Sequence, residues 1–297
     1  MERRKFLQSL ALLPITFAAM KLNDINRVTE PFANTEELMP LLFLGHGSPM
    51  NAIEENEFVT GWRDIGKIIP KPKAIICISA HWETKGTFVT ATEKPETIHD
   101  FGGFPRELFD VQYPAPGNPE LAKETKDTIK STTVALDTKW GLDHGCWSVI
   151  SRLYPKADIP IIQLSIDYSQ APQYHYDLAK ELSTLRNKGV LIVGSGNIVH
   201  NLGMVAWDKL DAGEYGFDWA KEASEKVKKL ILSNDHKQLI NYQSLGKEVA
   251  LAVPTPEHYL PLLYILGLKK ENEKVSLFND KLVAGSLSMT ALKIDKA

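Results

Sequence analysis

Cysteine is nearly absent. The 297 residues hold only Cys77 and Cys146, with no CxxC pairing, which excludes a disulfide framework and a cysteine-built zinc or redox motif. Cys77, inside "AIICIS", reads as a small core residue, and so does Cys146, with a place near a site as the alternative because "DHGCW" sets it two residues from a histidine. No apolar run approaches the roughly 20 residues that cross a bilayer, so stable membrane insertion is not expected. Basic surplus is missing too: the formal net charge is −3, whereas a nucleic-acid partner usually calls for a basic face. There is no internal repeat, no low-complexity tract and, after about residue 40, no Pro/Gly/Ser-rich linker, which favours one domain. "GSGNIV" (194–199) starts like a dinucleotide loop but carries Val199 where the third glycine belongs, and no GxSxG elbow exists. Nicotinamide chemistry and serine hydrolysis both lose their signatures.

The first residues stand apart. "MERRKFLQSLALLPITFAAM" sets Arg3 and Arg4 before Phe6, Leu7 and an apolar stretch ending in small residues. This resembles a twin-arginine export signal. Periplasmic or exported localisation is therefore expected, with the cytoplasm as the alternative. Residues 1–39 read as signal-like segment and linker, and 40–297 as the folded domain.

What is present is an ordinary globular composition, 43% hydrophobic and 24% charged. Short runs rich in Val, Ile and Leu occur at 41–44, 74–79, 87–92, 132–136, 160–166, 189–194 and 249–253. Near-continuous apolar runs of this length predict strands covered on both faces. Between them, 119–130, 171–187 and 216–232 have helical character. Alternation of this kind predicts an α/β fold with a central mainly parallel or mixed sheet and helices on both faces.

Four of the eight histidines follow such a run within a few residues: His46 after "LLFLG", His81 after "AIICISA", His200 after "GVLIVGSGNIV" and His258 after "VALAVPTPE". Open α/β sheets bind ligands outside the carboxyl ends of their strands. Parallel strands would bring the four imidazoles to one edge, and neutral imidazole is the commonest protein ligand for zinc and iron. The glycines beside His46 would leave room for a substrate, and His200 and His258 are expected in the first turns of helices. His144, in "WGLDHGCWSVI", has no strand directly before it and reads as an acid–base group at the start of a helix. His99 lies in the Gly/Phe/Pro loop "IHDFGGFP", while His175 and His236 sit in polar helical surroundings and read as surface residues.

In order along the chain stand "GHGSPM", "SAHWE", "HDFGGFP", "YPAPG", "GLDHGCW", "GSGNIVHNLG" and "PEHYLPLLYILG". Over about residues 40–295 the chain resembles the LigB-type class III extradiol ring-cleavage dioxygenases, and within them the DOPA 4,5-extradiol dioxygenases of bacteria and plants. The resemblance implies that His46, His81 and His258 are metal ligands and that His200 is counted with the metal, as in the DOPA-cleaving branch. In protocatechuate-cleaving relatives the comparable histidine is an acid–base group and a glutamate is the third ligand. The pair Glu257-His258 thus leaves a carboxylate or an imidazole, of which His258 is the expected donor. His144 is implied to border the substrate and transfer a proton.

The implied partners are a catecholic small molecule, DOPA-like, and O2. The implied cofactor is a non-haem metal: Fe(II) for activity, with Zn(II) expected to bind because four imidazoles suit it at least as well. Phe101, Phe104 and Trp82 are candidate walls for an aromatic ring. Two other readings compete, a zinc hydrolase with a metal-bound water and a non-catalytic metal-binding protein on the same scaffold. Nothing in the sequence names the catechol, the resident metal or the oligomeric state.

Overall fold

Apolar runs flanked by turn residues become the strands. A computed structural model of the chain describes residues 38–210 and 212–296, so the export-signal reading falls outside the described residues except for Leu38 and Met39. The strands are β1 (Leu41–Gly45), β2 (Ala74–Ser79), β3 (Glu83–Thr84), β4 (Thr87–Thr90), β5 (Val134–Asp137) and β6 (Ile161–Gln163). They continue as β7 (Ile166–Asp167), β8 (Val190–Gly196), β9 (Glu273–Phe278), β10 (Leu282–Val283), β11 (Leu287–Ser288) and β12 (Ala291–Lys296). Six of them form one sheet in the order β6-β2-β8-β1-β12-β9. The first four pair in parallel, and β12 and β9 add an antiparallel flank. This is the expected α/β architecture with a mixed central sheet.

Every residue of β1, β2 and β8 is buried, which explains why those runs read as continuous rather than alternating. Leu42, Leu44, Ile75, Cys77, Leu191 and Val193 share one core with Trp62 and Ile65 of the helix Glu57–Ile68 and with Trp147 and Ile150 of the helix His144–Leu153. The opposite face carries the helix Leu260–Gly267, whose Pro261 carbonyl would stand 2.7 Å from a Cβ at Gly194. Helices therefore cover both faces. Among the described residues no helix is long and apolar enough to cross a membrane.

Several local readings need correction. The run 249–253 is not a strand: Lys247–Ala252 is a helix. Its buried positions, Val249, Ala252 and Val253, recur at three- and four-residue spacing, and its two alanines favour helix. Five apolar residues alone cannot distinguish the two states. The run 160–166 divides into β6 and β7, and 171–187 divides into the helices Pro172–Glu181 and Ser183–Arg186. The strands β9 and β12 went unread because their burial alternates or fades along the strand. His175 is fully buried, its Nδ1 3.0 Å from the Tyr264 hydroxyl, and His236 is half-buried against the Tyr176 hydroxyl at 2.8 Å. Neither is a surface residue, because tyrosines from neighbouring segments pair with them, a contact no local pattern announces.

Burial lowers His175 to about 4, against the opposing influence of Asp167. The unfolded chain takes up this proton near its ordinary value of 6.5 while the folded chain refuses it until about 4. Unfolding thus binds a proton in that window, and stability falls as pH is lowered through it. At about 1.4 kcal/mol per unit the full effect is of order 3 kcal/mol. His175→Gln is expected to flatten the acid limb of a stability–pH curve measured by urea melts.

The sheet's antiparallel flank is tied down by a buried ion pair. Arg186, after β7, is paired through both terminal nitrogens with Glu273 of β9, and both side chains are essentially inaccessible. The same guanidinium donates to the carbonyls of Met39 at 2.9 Å and Leu268 at 3.1 Å. Glu273→Ala would leave a buried cation without its partner, a change that typically costs about 3–5 kcal/mol. Chemical denaturation of the variant should read a loss of that size.

Candidate metal centre

Three parallel strands end side by side and each hands over a histidine. His46 directly follows β1, His81 follows β2 by one residue beyond Ala80, and His200 lies four residues past β8. His200 is extended, bridged to Leu287, with its backbone N–H on the Ala252 carbonyl at 2.8 Å. It is not in a helix. His258 arrives from the other side, in the turn between the helices Lys247–Ala252 and Leu260–Gly267 and ahead of the latter's first residue. Gly196 admits it: a Cβ there would lie 2.1 Å from the His258 carbonyl, which instead accepts the Asn197 N–H at 2.8 Å. Of the glycines beside His46, Gly45 serves packing, whereas Gly47 lines the cavity. Gly45 lies against the Met289 backbone, and Gly47 has a φ of +60°, with the Met289 sulfur 2.4 Å from where its Cβ would be.

One donor atom from each of His46, His81 and His258 falls within 4.8 Å of the others, and the Nε2 atoms of His46 and His81 are 3.2 Å apart. The partners of the other ring nitrogens decide what those Nε2 atoms carry. Ser195 on β8 donates its hydroxyl hydrogen to the Gly145 carbonyl at 2.5 Å, so toward His46 Nδ1, 3.1 Å away, it can only accept. His46 therefore holds its proton on Nδ1. His258 Nδ1 faces Glu257 Oε1 at 3.1 Å, where a carboxylate holds the proton on Nδ1 likewise; His81 Nδ1 lies 3.6 Å from Asp100 Oδ2, too far for a hydrogen bond but near enough for the carboxylate's charge to favour the same tautomer. The Nε2 atoms of His46 and His81 face each other, and that of His258 is buried with no hydrogen-bond partner among the described residues. Lone pairs so arranged repel unless a cation sits between them. Metal–nitrogen bonds of about 2 Å would put neighbouring donors about 3 Å apart, which matches the His46–His81 spacing.

Electrostatics agree. Burial lowers His46 and His258 well below the ordinary histidine value, and the neighbouring imidazoles lower them further. His81 is lowered to about 3 by burial and by His144, against the opposing pull of Asp100. His200 is lowered to about 4, chiefly by burial, with Glu257 opposing. All four are neutral at pH 7 and ready to donate. His200 is placed differently from the other three: its ring stacks on His258 at 3.5 Å between centroids and 6° between planes, and its donor atom groups with those of Glu257 and His258.

His144 opens the helix His144–Leu153, as read, behind the N-cap Asp143. Asp143 is wholly buried. It accepts the Cys146 N–H at 3.0 Å, the Ser79 hydroxyl at 2.6 Å and the Gln163 amide at 2.6 Å, and so fastens the end of β2 to the start of that helix. The His144 ring lies 3.8 Å from that of His81, centroid to centroid, and its Nδ1 is 3.0 Å from Asp100 Oδ2. Burial alone would raise the Asp100 carboxyl; the hydrogen bonds and charge of His144 outweigh it and hold it below its usual value.

The five histidines line a cavity of about 530 Å³ with Phe101, Phe104, Val205 and Met289 on its apolar sides. Trp82 is not among these walls: it is buried and stacks on Trp140 at 5.7 Å. His99 does not cover the cavity but braces the loop, donating from Nε2 to the Val111 carbonyl at 3.0 Å. Cys146 and Cys77 are both buried in the core, and neither lines the cavity. Sequence reading missed Ser195 and Asp100 entirely and saw Glu257 only as a rival ligand. An acid adjacent to a histidine in a glycine-rich loop was the one available signal for Asp100.

Residues 40–289 match the family model described as the catalytic LigB subunit of aromatic ring-opening dioxygenase. The chain belongs to the LigB family. It is an aromatic ring-opening dioxygenase of that family. The 4,5-DOPA dioxygenase extradiol of Escherichia coli (strain K12) is 46% identical over 260 residues, 86% of this chain and 94% of that protein. The protein of the same name from Beta vulgaris is 35% identical over 266 residues, 87% of this chain and 97% of that one. The crystal structure of an uncharacterized protein from Escherichia coli K12 superposes with a TM-score of 0.75 at 40% identity, covering 86% of this chain and 99% of that chain. LigB dioxygenases are metal-dependent, and the imidazole cluster at the sheet edge gives this one a place for the ion.

Proposed function

We propose that this LigB enzyme is an extradiol dioxygenase that opens the ring of a DOPA-like catechol at a metal held by His46, His81 and His258, with His200 as the fourth imidazole of the set and His144 as its proton acceptor. The observation that carries the reading is the grouping, within 4.8 Å, of one donor nitrogen from each of His46, His81 and His258 in a cavity also lined by Phe101 and Phe104. Fe(II) suits the role: held by these imidazoles it would supply the redox chemistry that lets a catechol react with O2. Zinc fits the same nitrogens but has no redox state to offer.

The chain's own residues do the rest. Phe101 and Phe104 present apolar faces to an aromatic ring. His144, whose Nδ1 is turned to Asp100, offers Nε2 to a diol hydroxyl and takes its proton. A ring deprotonated there is the better electron donor, and returning the proton completes the cycle. Overall, one catechol and one O2 give a ring-opened semialdehyde acid: the carbon–carbon bond beside the diol breaks and both oxygen atoms enter the product. The name these relatives carry, 4,5-DOPA dioxygenase extradiol, supports DOPA as the substrate class. We also propose that residues 1–39, with Arg3 and Arg4, are an export signal and linker ahead of a catalytic domain at 40–297, so that the enzyme is periplasmic or exported.

The test is reconstitution. Metal-free protein loaded with Fe(II) under argon should consume O2 and form a yellow product when DOPA and air are admitted, and a zinc-loaded sample should not. If neither sample takes up O2 across a panel of catechols, the reading fails. His200→Ala separates the fourth imidazole from the three: it is expected to weaken metal retention in a chelator competition yet leave a measurable site.

A further inference from the structure

We infer that Asp100 is a positioning residue that sets the ring tautomer and orientation of both His81 and His144 and so ties the aromatic wall of the cavity to the metal centre. The inference rests on the metal reading just given. Asp100 sits in the loop that also carries Phe101 and Phe104, and its carboxylate is mostly shielded, with 20% of the side chain exposed. Its two oxygens are both engaged. Oδ1 accepts the backbone N–H of His144 at 2.9 Å; Oδ2 lies 3.0 Å from His144 Nδ1 and 3.6 Å from His81 Nδ1. One oxygen thus serves two imidazoles whose rings lie 3.8 Å apart.

That geometry favours one arrangement of protons on the neutral rings. The carboxylate lies within ion-pair distance of both Nδ1 atoms and disfavours a lone pair on either, so Nδ1–H is the preferred tautomer of each. His81 then presents a bare Nε2 on the edge that faces His46, and His144 a bare Nε2 able to accept. Asp100 is not itself a ligand in this arrangement, because it meets His81 at the nitrogen that does not face His46. Carboxylates placed behind a metal-bound histidine commonly contribute ~10–100-fold to metal affinity. Here the same carboxylate also orients the proton acceptor, and its backbone is joined to the two phenylalanines.

The measurement needs no turnover. Zn(II) affinity of metal-free wild type, Asp100→Ala and Asp100→Asn is determined by chelator competition. The tautomers of His81 and His144 in the zinc-loaded proteins are read from long-range nitrogen–proton NMR correlations. Asp100→Ala is expected to weaken zinc by ~10–100-fold and to mix the tautomers at both rings. Asp100→Asn keeps the size and one acceptor oxygen, guards against a folding artefact, and should fall between the two. Unchanged affinity and unchanged tautomers in both variants would overturn the inference while leaving the metal reading intact. A wild type that binds neither zinc nor iron would sink the metal reading, and this inference with it.

Discussion

Alanine in place of His46, His81 or His258 is expected to strip the metal from this protein and abolish ring opening. On the proposed reading each change removes one of the three imidazoles whose donor atoms group within 4.8 Å. The loss in affinity should exceed the ~10–100-fold that accompanies removal of a supporting carboxylate. A ligand that binds only the folded state stabilises it by mass action, by ~4 kcal/mol at a thousand times its dissociation constant. Adding Zn(II) should therefore raise the melting temperature of wild type and leave these three variants almost unmoved. A variant that still shifts with metal would show that its histidine is not a ligand.

His144→Ala should separate chemistry from metal binding. The residue contacts the site through a ring beside His81, but its Nδ1 is turned to Asp100 and its backbone N–H is held by the same carboxylate. Loss of a positioned proton acceptor typically costs ~10²–10⁴-fold in rate. That loss should appear in kcat with iron content unchanged, measured on the same sample by metal analysis. Equal losses of iron and rate would make His144 a ligand instead. Retention of full activity would favour a proton path to bulk solvent that bypasses it.

Much of the site was legible because its donors sit where fold physics puts ligands. β1, β2 and β8 announce themselves as buried parallel strands by unbroken apolar runs, and His46, His81 and His200 come just beyond their carboxyl ends. His258 was found for a partly mistaken reason: the apolar run before it is a helix, and the turn that follows, not a strand end, delivers the ring. What could not be read is what holds the imidazoles. Ser195 lies 149 residues from His46 and Asp100 lies 44 residues from His144, and neither separation leaves a periodic trace. The antiparallel strands β9 and β12 were hidden by their half-exposed alternation, and the buried Arg186–Glu273 pair joins segments 87 residues apart. Local patterning encodes which strands are buried; a long-range hydrogen bond, between His46 and Ser195, decides which nitrogen of that histidine is free.

The most direct measurement is the fate of labelled dioxygen. Iron-loaded enzyme is mixed with DOPA under ¹⁸O₂ for a single turnover and quenched into borohydride, before the new aldehyde exchanges its oxygen with water. Two labelled oxygens in one ring-opened product, formed by the iron enzyme and not by the zinc enzyme, is the predicted result. Product carrying oxygen from water alone, or turnover that persists with zinc in the absence of O2, would contradict the account and identify a hydrolytic metal centre instead.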